Sequence, residues 1–242
     1  MSTADDVVPP VLHEHPDVTG GWLRPAVFGA SDGLVSNAAL IAGVAGGTAA
    51  AGGSSTAVVL AGLAGLASGA FSMAAGEYIS VASQSESAKL EIAKERREIM
   101  ENPAGEIAEL AETYVGRGVD PELAKEIAVQ VHRNVDNAVA VHSREEFGID
   151  LDNLASPWLA AGSSFAAFAL GALVPVLPYL FGMTSLAPAM ALALLALFGC
   201  GAVVTQVTDR RWWYGGLRQV FLGATAAALT YGVGTMVGVA VG

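Results

Sequence analysis

Five apolar blocks, each long enough to cross a lipid bilayer, restrict this chain to one class of architecture. A helix needs about 20 apolar residues to span about 30 Å of hydrocarbon. Residues 25–50, 56–83, 157–181, 186–207 and 217–241 meet that length. Backbone in lipid must satisfy its own hydrogen bonds, so isolated blocks of this kind read as helices. The links between them are turn-like: Gly52-Gly53-Ser54-Ser55, Gly182-Met183-Thr184-Ser185 and residues 209–216. Ser156-Pro157 supplies an N-cap and a proline at N1 for the third span, and Pro175 and Pro178 are expected to kink or end it early. The expected fold is an all-α, multi-pass membrane protein with five transmembrane helices in a lipid bilayer.

Charge is concentrated in one place. Only 14% of the 242 residues are charged, and residues 86–152 hold sixteen Asp/Glu and eight Lys/Arg, a net −8 of the chain's −11. An acidic, water-exposed insert between the second and third spans is therefore expected. The second span runs on from Glu77 to Met100 without Pro or Gly, so it should leave the membrane as one continuous helix. Asn102-Pro103 starts a helix that ends near Gly116-Arg117-Gly118, and Asp120-Pro121 starts a third that ends near Phe147-Gly148. The predicted organisation is an N-terminal segment 1–24, spans one and two over 25–85, a three-helix insert over 86–153, and spans three to five over 154–242.

Lys and Arg orient the chain. With five spans, Arg24, the eight basic residues of the insert, Arg210, Arg211 and Arg218 all fall on one side, which accounts for all twelve. The positive-inside rule makes that side cytosolic, with the C-terminus on the far side. The first twenty residues are acidic and lack the basic and apolar regions of a signal peptide. No organelle signal is visible, so the expected location is the plasma (inner) membrane. The single Cys200 excludes an internal disulfide and a cysteine zinc site. The negative balance argues against nucleic acid as a partner.

Two carboxylates lie well inside the apolar blocks: Asp32 in the first and Glu77 in the second. An acidic side chain at mid-bilayer costs about 2.5–3.5 kcal/mol on insertion scales, so such residues usually face a polar cavity or an ion path. Met73 lies four before Glu77 on the same helical face, and Ser36 and Asn37 follow Asp32. Oxygen donors with one soft sulfur suit Fe²⁺, Mn²⁺ or Zn²⁺. The plainer alternatives are that Asp32 snorkels or caps near the cytosolic end and that Met73 only packs. In the insert, Glu95 and Glu98 are i,i+3, Glu106 and Glu109 repeat that spacing, and His142 and Glu146 are i,i+4. Three facing helices could converge these pairs on a metal, as helical bundles do, although solvated glutamates are common. A net −8 beneath a membrane collects cations in either case. His13-Glu14-His15 could ligate metal but reads as solvated, and His132 with Asp136 reads as surface. Glycines 62, 65 and 69 share roughly one face, suited to ordinary helix packing or to a dimer contact. No hydrolase triad, phosphate loop or HExxH motif is present.

The stretches Gly21-Trp22-Leu23-Arg24, Gly29-Ala30-Ser31-Asp32-Gly33-Leu34-Val35-Ser36-Asn37 and Ser72-Met73-Ala74-Ala75-Gly76-Glu77-Tyr78 resemble the first two spans of the vacuolar iron transporter family. The order of two spans, insert and three spans resembles it too, over nearly all of the chain beyond about residue 20. The resemblance implies export of Fe²⁺, sometimes Mn²⁺, from the cytosol in exchange for protons, by a homodimer with its pathway between subunits. It implies that Asp32 and Met73 are membrane-embedded metal positions. It implies that Glu95, Glu98, Glu106, Glu109 and Glu146 are carboxylates of a cytosolic metal-binding domain. His142 departs from the family, whose better-known eukaryotic members carry Met there. Imidazole keeps a ligand in place but alters selectivity and pH response. Glu77 stands where those members have a small residue, so its candidacy rests on burial and neighbours alone. No prosthetic group and no enzymatic activity are expected; Fe²⁺, with Mn²⁺ or Zn²⁺ as alternatives, is cargo. The rival readings are a membrane-anchored metal sensor without flux and a membrane ferroxidase. The Glu-x-x-His motif of di-iron sites, which the ferroxidase reading would favour, is absent.

Overall fold

The computed structural model describes residues 21–52, 54–207 and 210–241. His13, Glu14, His15 and Asp209 lie outside the described residues. Among the described residues there is no strand, and the order of helices is α1 (Leu23–Ala50), α2 (Ser55–Glu101), α3 (Pro103–Gly116), α4 (Pro121–Val131), α5 (Val135–Phe147), α6 (Pro157–Leu173), α7 (Leu177–Leu180), α8 (Leu186–Val207) and α9 (Trp212–Val241). Five stretches are long and apolar enough to cross a membrane: α1, α2, residues Pro157–Leu180, α8 and α9.

The expected start signals act as local chemistry predicts. Asn102, Asp120 and Ser156 each accept a backbone N–H of the first turn that follows, with proline next in line. Pro175 and Pro178 end α6 at Leu173; a 3₁₀ turn over Val174–Val176 leads into the single turn of α7. Two boundaries differ from expectation. The last helix begins at Trp212 rather than Leu217, because Trp212, Trp213 and Tyr214 lengthen it at the end where an apolar criterion stops. The expected continuous helix from Pro121 to Phe147 is broken at His132–Asn134. There Asn134 turns extended and caps α5 through the N–H of Asn137. That break carries neither Pro nor Gly, so only Asn134 marked it.

α2 is 47 residues in one piece, about 70 Å at 1.5 Å per residue, more than twice a hydrocarbon core. Its distal half packs on α5 through Ile99, Ala138 and Val139, joined by Ile92, Val131 and Leu151. In the spans, α1 packs chiefly against α6 and α9 and also touches α2 and α8. Lipid provides little hydrophobic drive between helices, so close van der Waals fit must hold them. A side chain on Gly33 would run into the Phe168 carbonyl and the Ala172 amide of α6, and one on Gly171 into the Ala30 carbonyl of α1. Glycines 62, 65 and 69 pack within the chain, against Ile41 and Val176, against Leu40 and Asn37, and against Phe168. The buried Asn37 donates to the Gly62 carbonyl at 3.1 Å and the Ala172 carbonyl at 2.5 Å, tying α1 to α2 and α6. Large apolar side chains such as Leu60, Phe71, Leu195, Phe221, Leu229 and Met236 point outward, as helices solvated by lipid require.

The α1–α6 contact is thus the packing most sensitive to bulk. Gly33→Val and Gly171→Val should each lower the stability of the detergent-solubilised chain by about 1–3 kcal/mol or more. Gly162→Val, at a position with open space around it, should leave the melting temperature nearly unchanged.

Candidate metal sites

Two clusters emerge, one between membrane-length helices and one at the distal end of α2. The first is a cavity of about 410 Å³ walled by α1, α2 and α6. Asp32, Ser36 and Asn37 line it from α1, Ser68, Ser72 and Met73 from α2, and Phe168 from α6. Asp32 and Met73, far apart in sequence, therefore share one space. Asp32 also lines a second groove of about 590 Å³ with Ser31, Arg24 and Gln219. Among the described residues its carboxylate has neither an ion pair nor a hydrogen bond. Ser36 does not supply one, because its hydroxyl donates back to the Asp32 carbonyl at 2.6 Å. The Oδ1 of Asn37 is a buried oxygen without a partner, whereas Asp32 is exposed on this chain. Glu77 does not line the cavity; it sits half-buried one turn beyond Met73, next to Tyr78, which stacks on Trp158 at 4.7 Å.

The second cluster is built by the turn at Asn102 and by the packing of α5 on α2. Asn102 both ends α2 and caps α3, folding Glu106 back toward Glu95. Val139 anchors α5 on Ile99 of α2, and His142 and Glu146 follow at helical spacing on that same face. Nδ1 of His142 lies 2.8 Å from Glu146 Oε1, 3.0 Å from Glu95 Oε1 and 3.9 Å from Glu106 Oε2. Side-chain exposures are 0% for His142, 3% for Glu95, 12% for Glu106 and 19% for Glu146. The hydrogen bond from Nδ1 goes to Glu146, so Glu95 Oε1 is left buried without a hydrogen despite its proximity. One ligand atom from each of Glu95, His142 and Glu146 lies within 4.8 Å of the others.

Electrostatics explain why this cluster is poised for a cation. Burial first, then Glu146, Glu106, Glu98 and Glu109, push Glu95 up to about 7. Glu106 is raised by burial and by Glu109, with His142 partly opposing and Glu98 and Glu146 adding to the rise. Glu98 and Glu109 thus act on the cluster from its rim. Glu98 is paired with Lys94 at 3.8 Å and is nearly half exposed, and Glu109 is exposed. Two basic groups of these helices are engaged elsewhere: Arg96 with Asp136 at 2.6 Å and Arg117 with Glu145. Three carboxylates around one imidazole is an O/N donor set matched to Fe²⁺, Mn²⁺ or Zn²⁺.

His132 is the residue that sequence spacing misjudged. It is half-buried rather than on the surface. Its ring contacts His142 edge to face, centroids 5.1 Å apart, while Asp136 has gone to Arg96. Burial, partly opposed by the hydrogen bond to the Ala128 carbonyl, pushes the His132 imidazole below its ordinary range. The helix break placed it there, and no i,i+4 pattern could have shown that.

Comparison with known proteins points one way. The profile of the VIT family matches residues 23–235. A vacuolar iron transporter of Acanthamoeba castellanii is 39% identical over 221 residues, covering 89% of this chain and 78% of that protein. Vacuolar iron transporters 1 and 2 of Oryza sativa subsp. japonica are 30% and 31% identical, over 91% and 92% of this chain and 88% and 92% of theirs. With five membrane-length helices and relatives of this kind, the chain is a multi-pass integral membrane protein and not an enzyme.

The raised Glu95 has a definite sign. Its folded value lies above the ordinary 4.5, so the folded state binds the extra proton. The associated stability is full below about pH 4.5 and lost as pH rises through about 7. Metal-free chain should therefore melt at lower temperature at pH 7.5 than at pH 5. Glu95→Gln should flatten that decline by on the order of 1–3 kcal/mol. Mn²⁺ should restore the wild type, but not the variant, at pH 7.5. Thermal melts in detergent with and without Mn²⁺ check all three.

Proposed function

The chain belongs to the VIT family, and from that premise we propose that it carries Fe²⁺ across a membrane, out of the cytosol and in exchange for protons. The observation that carries this reading is the pairing of an unpartnered carboxylate, Asp32, with the Met73 thioether in one cavity between membrane-length helices. A bare carboxylate at that depth is costly unless a cation or proton regularly meets it. The twelve basic residues support an orientation with the N-terminal segment and the 86–153 domain on the cytosolic side. The plasma (inner) membrane is the proposed location.

In this reading Glu95, Glu106, His142 and Glu146 gather metal from the cytosol, and Glu98 and Glu109 raise its local concentration. Glu77, one turn from Met73 on the side nearer the cluster, is a stepping point between the two clusters. At the cavity the ion meets oxygen from Asp32 and sulfur from Met73, a mixed set that admits Fe²⁺ and Mn²⁺ and disfavours Mg²⁺ and Ca²⁺. Protons arriving from the far side compete for the same carboxylate, so release and protonation are one exchange. A homodimer is proposed because Asp32 is exposed on the single chain, and a second copy across the cavity would shield it from lipid.

The test is Fe²⁺ uptake into proteoliposomes under a pH gradient, with oxygen consumption followed in parallel. Asp32→Ala and Met73→Ala should each slow flux by about tenfold or more, equivalent to about 1.4 kcal/mol or more of lost ion stabilisation. Glu106→Ala with Glu109→Ala should raise the metal concentration for half-maximal flux and leave the cavity intact. Wild-type flux from Asp32→Ala sinks the pathway assignment. Binding without flux favours a sensor, and oxygen uptake on adding Fe²⁺ favours a ferroxidase.

A further inference from the structure

Cations without a carboxylate partner gather at one corner of the spans. From residue 154 to residue 242 the basic side chains are Arg210, Arg211 and Arg218, and the one acidic side chain is Asp209, outside the described residues. Arg210 and Arg218 line one small space of about 150 Å³ with Thr205, Tyr214 and Gly215, between the end of α8 and the start of α9. Among the described residues, Arg96, Arg117 and Arg144 have carboxylate partners, whereas Arg210 and Arg218 have none. Packing fixes the corner. A side chain on Gly215 would run into the Thr205 methyl and the Gly201 carbonyl, so α8 and α9 touch directly here. Trp212 meets Phe198 edge to face, ring centroids 5.9 Å apart. Trp212, Trp213 and Tyr214 are exposed, and rings of this kind lie at the headgroup level of a bilayer.

An apolar groove of about 590 Å³ opens at the same end of the helices. Leu23, Val27 and Phe28 of α1, Val203 of α8 and Leu222 of α9 wall it, and Arg24 stands among them. Helical register joins groove to corner. Leu222 lies one turn from Arg218 on the same face of α9, and Val204, which also lines the groove, adjoins Thr205. Paired cations at headgroup depth over an apolar trough fit a phosphate that carries an acyl chain. We propose that this corner binds an anionic phospholipid, with its phosphate on Arg210 and Arg218 and one acyl chain in the groove. Guanidinium groups take phosphate oxygens through paired, charge-assisted hydrogen bonds. A zwitterionic headgroup brings its own cation toward the arginines and is disfavoured. Asp32 lines this groove as well as the metal cavity. A chain seated in the groove closes that side and leaves the carboxylate to the cavity. The inference stands apart from the metal reading.

The test counts lipids retained on the full chain in detergent by native mass spectrometry. Phosphatidylglycerol should bind about tenfold or more tighter than phosphatidylcholine. Arg210→Gln with Arg218→Gln should weaken phosphatidylglycerol by about tenfold or more. Arg97→Gln with Arg133→Gln removes the same charge elsewhere and should leave that affinity unchanged. Leu222→Trp, at an exposed position, fills the groove and should weaken binding with both arginines in place. Inorganic phosphate in millimolar excess should not displace the lipid; displacement marks a free-anion site and overturns the inference. Equal binding of the two lipids, or wild-type affinity in Arg210→Gln with Arg218→Gln, overturns it as well.

Discussion

A polar group inside lipid has only the protein to turn to, and the arrangement around α1 follows from that constraint. Asn37 spends its amide hydrogens on carbonyls of two other helices, and Thr230 of α9 donates to the Ala39 carbonyl at 2.7 Å. Such bonds, with glycine contacts tight enough to exclude a methyl group, fix α1 against its neighbours. Asp32 on the same helix stands outside this network. Its carboxylate has no partner among the described residues, a condition it shares with the Asn37 Oδ1 in the same cavity.

The cluster on α2 shows the same logic in water. Burial and mutual repulsion hold Glu95 at about 7, and Arg96, Arg117 and Lys94 are committed to Asp136, Glu145 and Glu98. The inner carboxylates Glu95, Glu106 and Glu146 thus have no Lys or Arg partner among the described residues. A structural ion-pair network would have spent them. His142 in place of a thioether makes the donor set harder.

Much of this was legible from local signals. Capping residues followed by proline located the starts of α3, α4 and α6, because those interactions are closed within four residues. Periodicity offered Glu95 with Glu98, Glu106 with Glu109 and His142 with Glu146 only as pairs that could converge, and it was the family resemblance that favoured a metal site. The division into an inner four and an outer Glu98 and Glu109 was not legible, since it depends on how α3 and α5 lie against α2. The break at His132–Asn134 hid His132 for a related reason: its partner is ten residues away across a change of helix direction. Glu77 looked as deep as Asp32 by hydropathy, yet the helix carries it one turn past the cavity.

One consequence of the unbroken α2 concerns azimuth. Met73 and Glu95 are 22 residues apart, about 33 Å along the axis and only about 40° apart around it. Glu77, Gln84, Glu91 and Glu98 fall within about 40° of Met73 on the same basis. The helix therefore works as a keyed shaft, holding the two clusters in phase as well as at a distance. One residue added between Glu77 and Glu95 would lengthen it by only about 1.5 Å but turn one end against the other by about 100°. Such a chain would have both clusters intact and facing different ways.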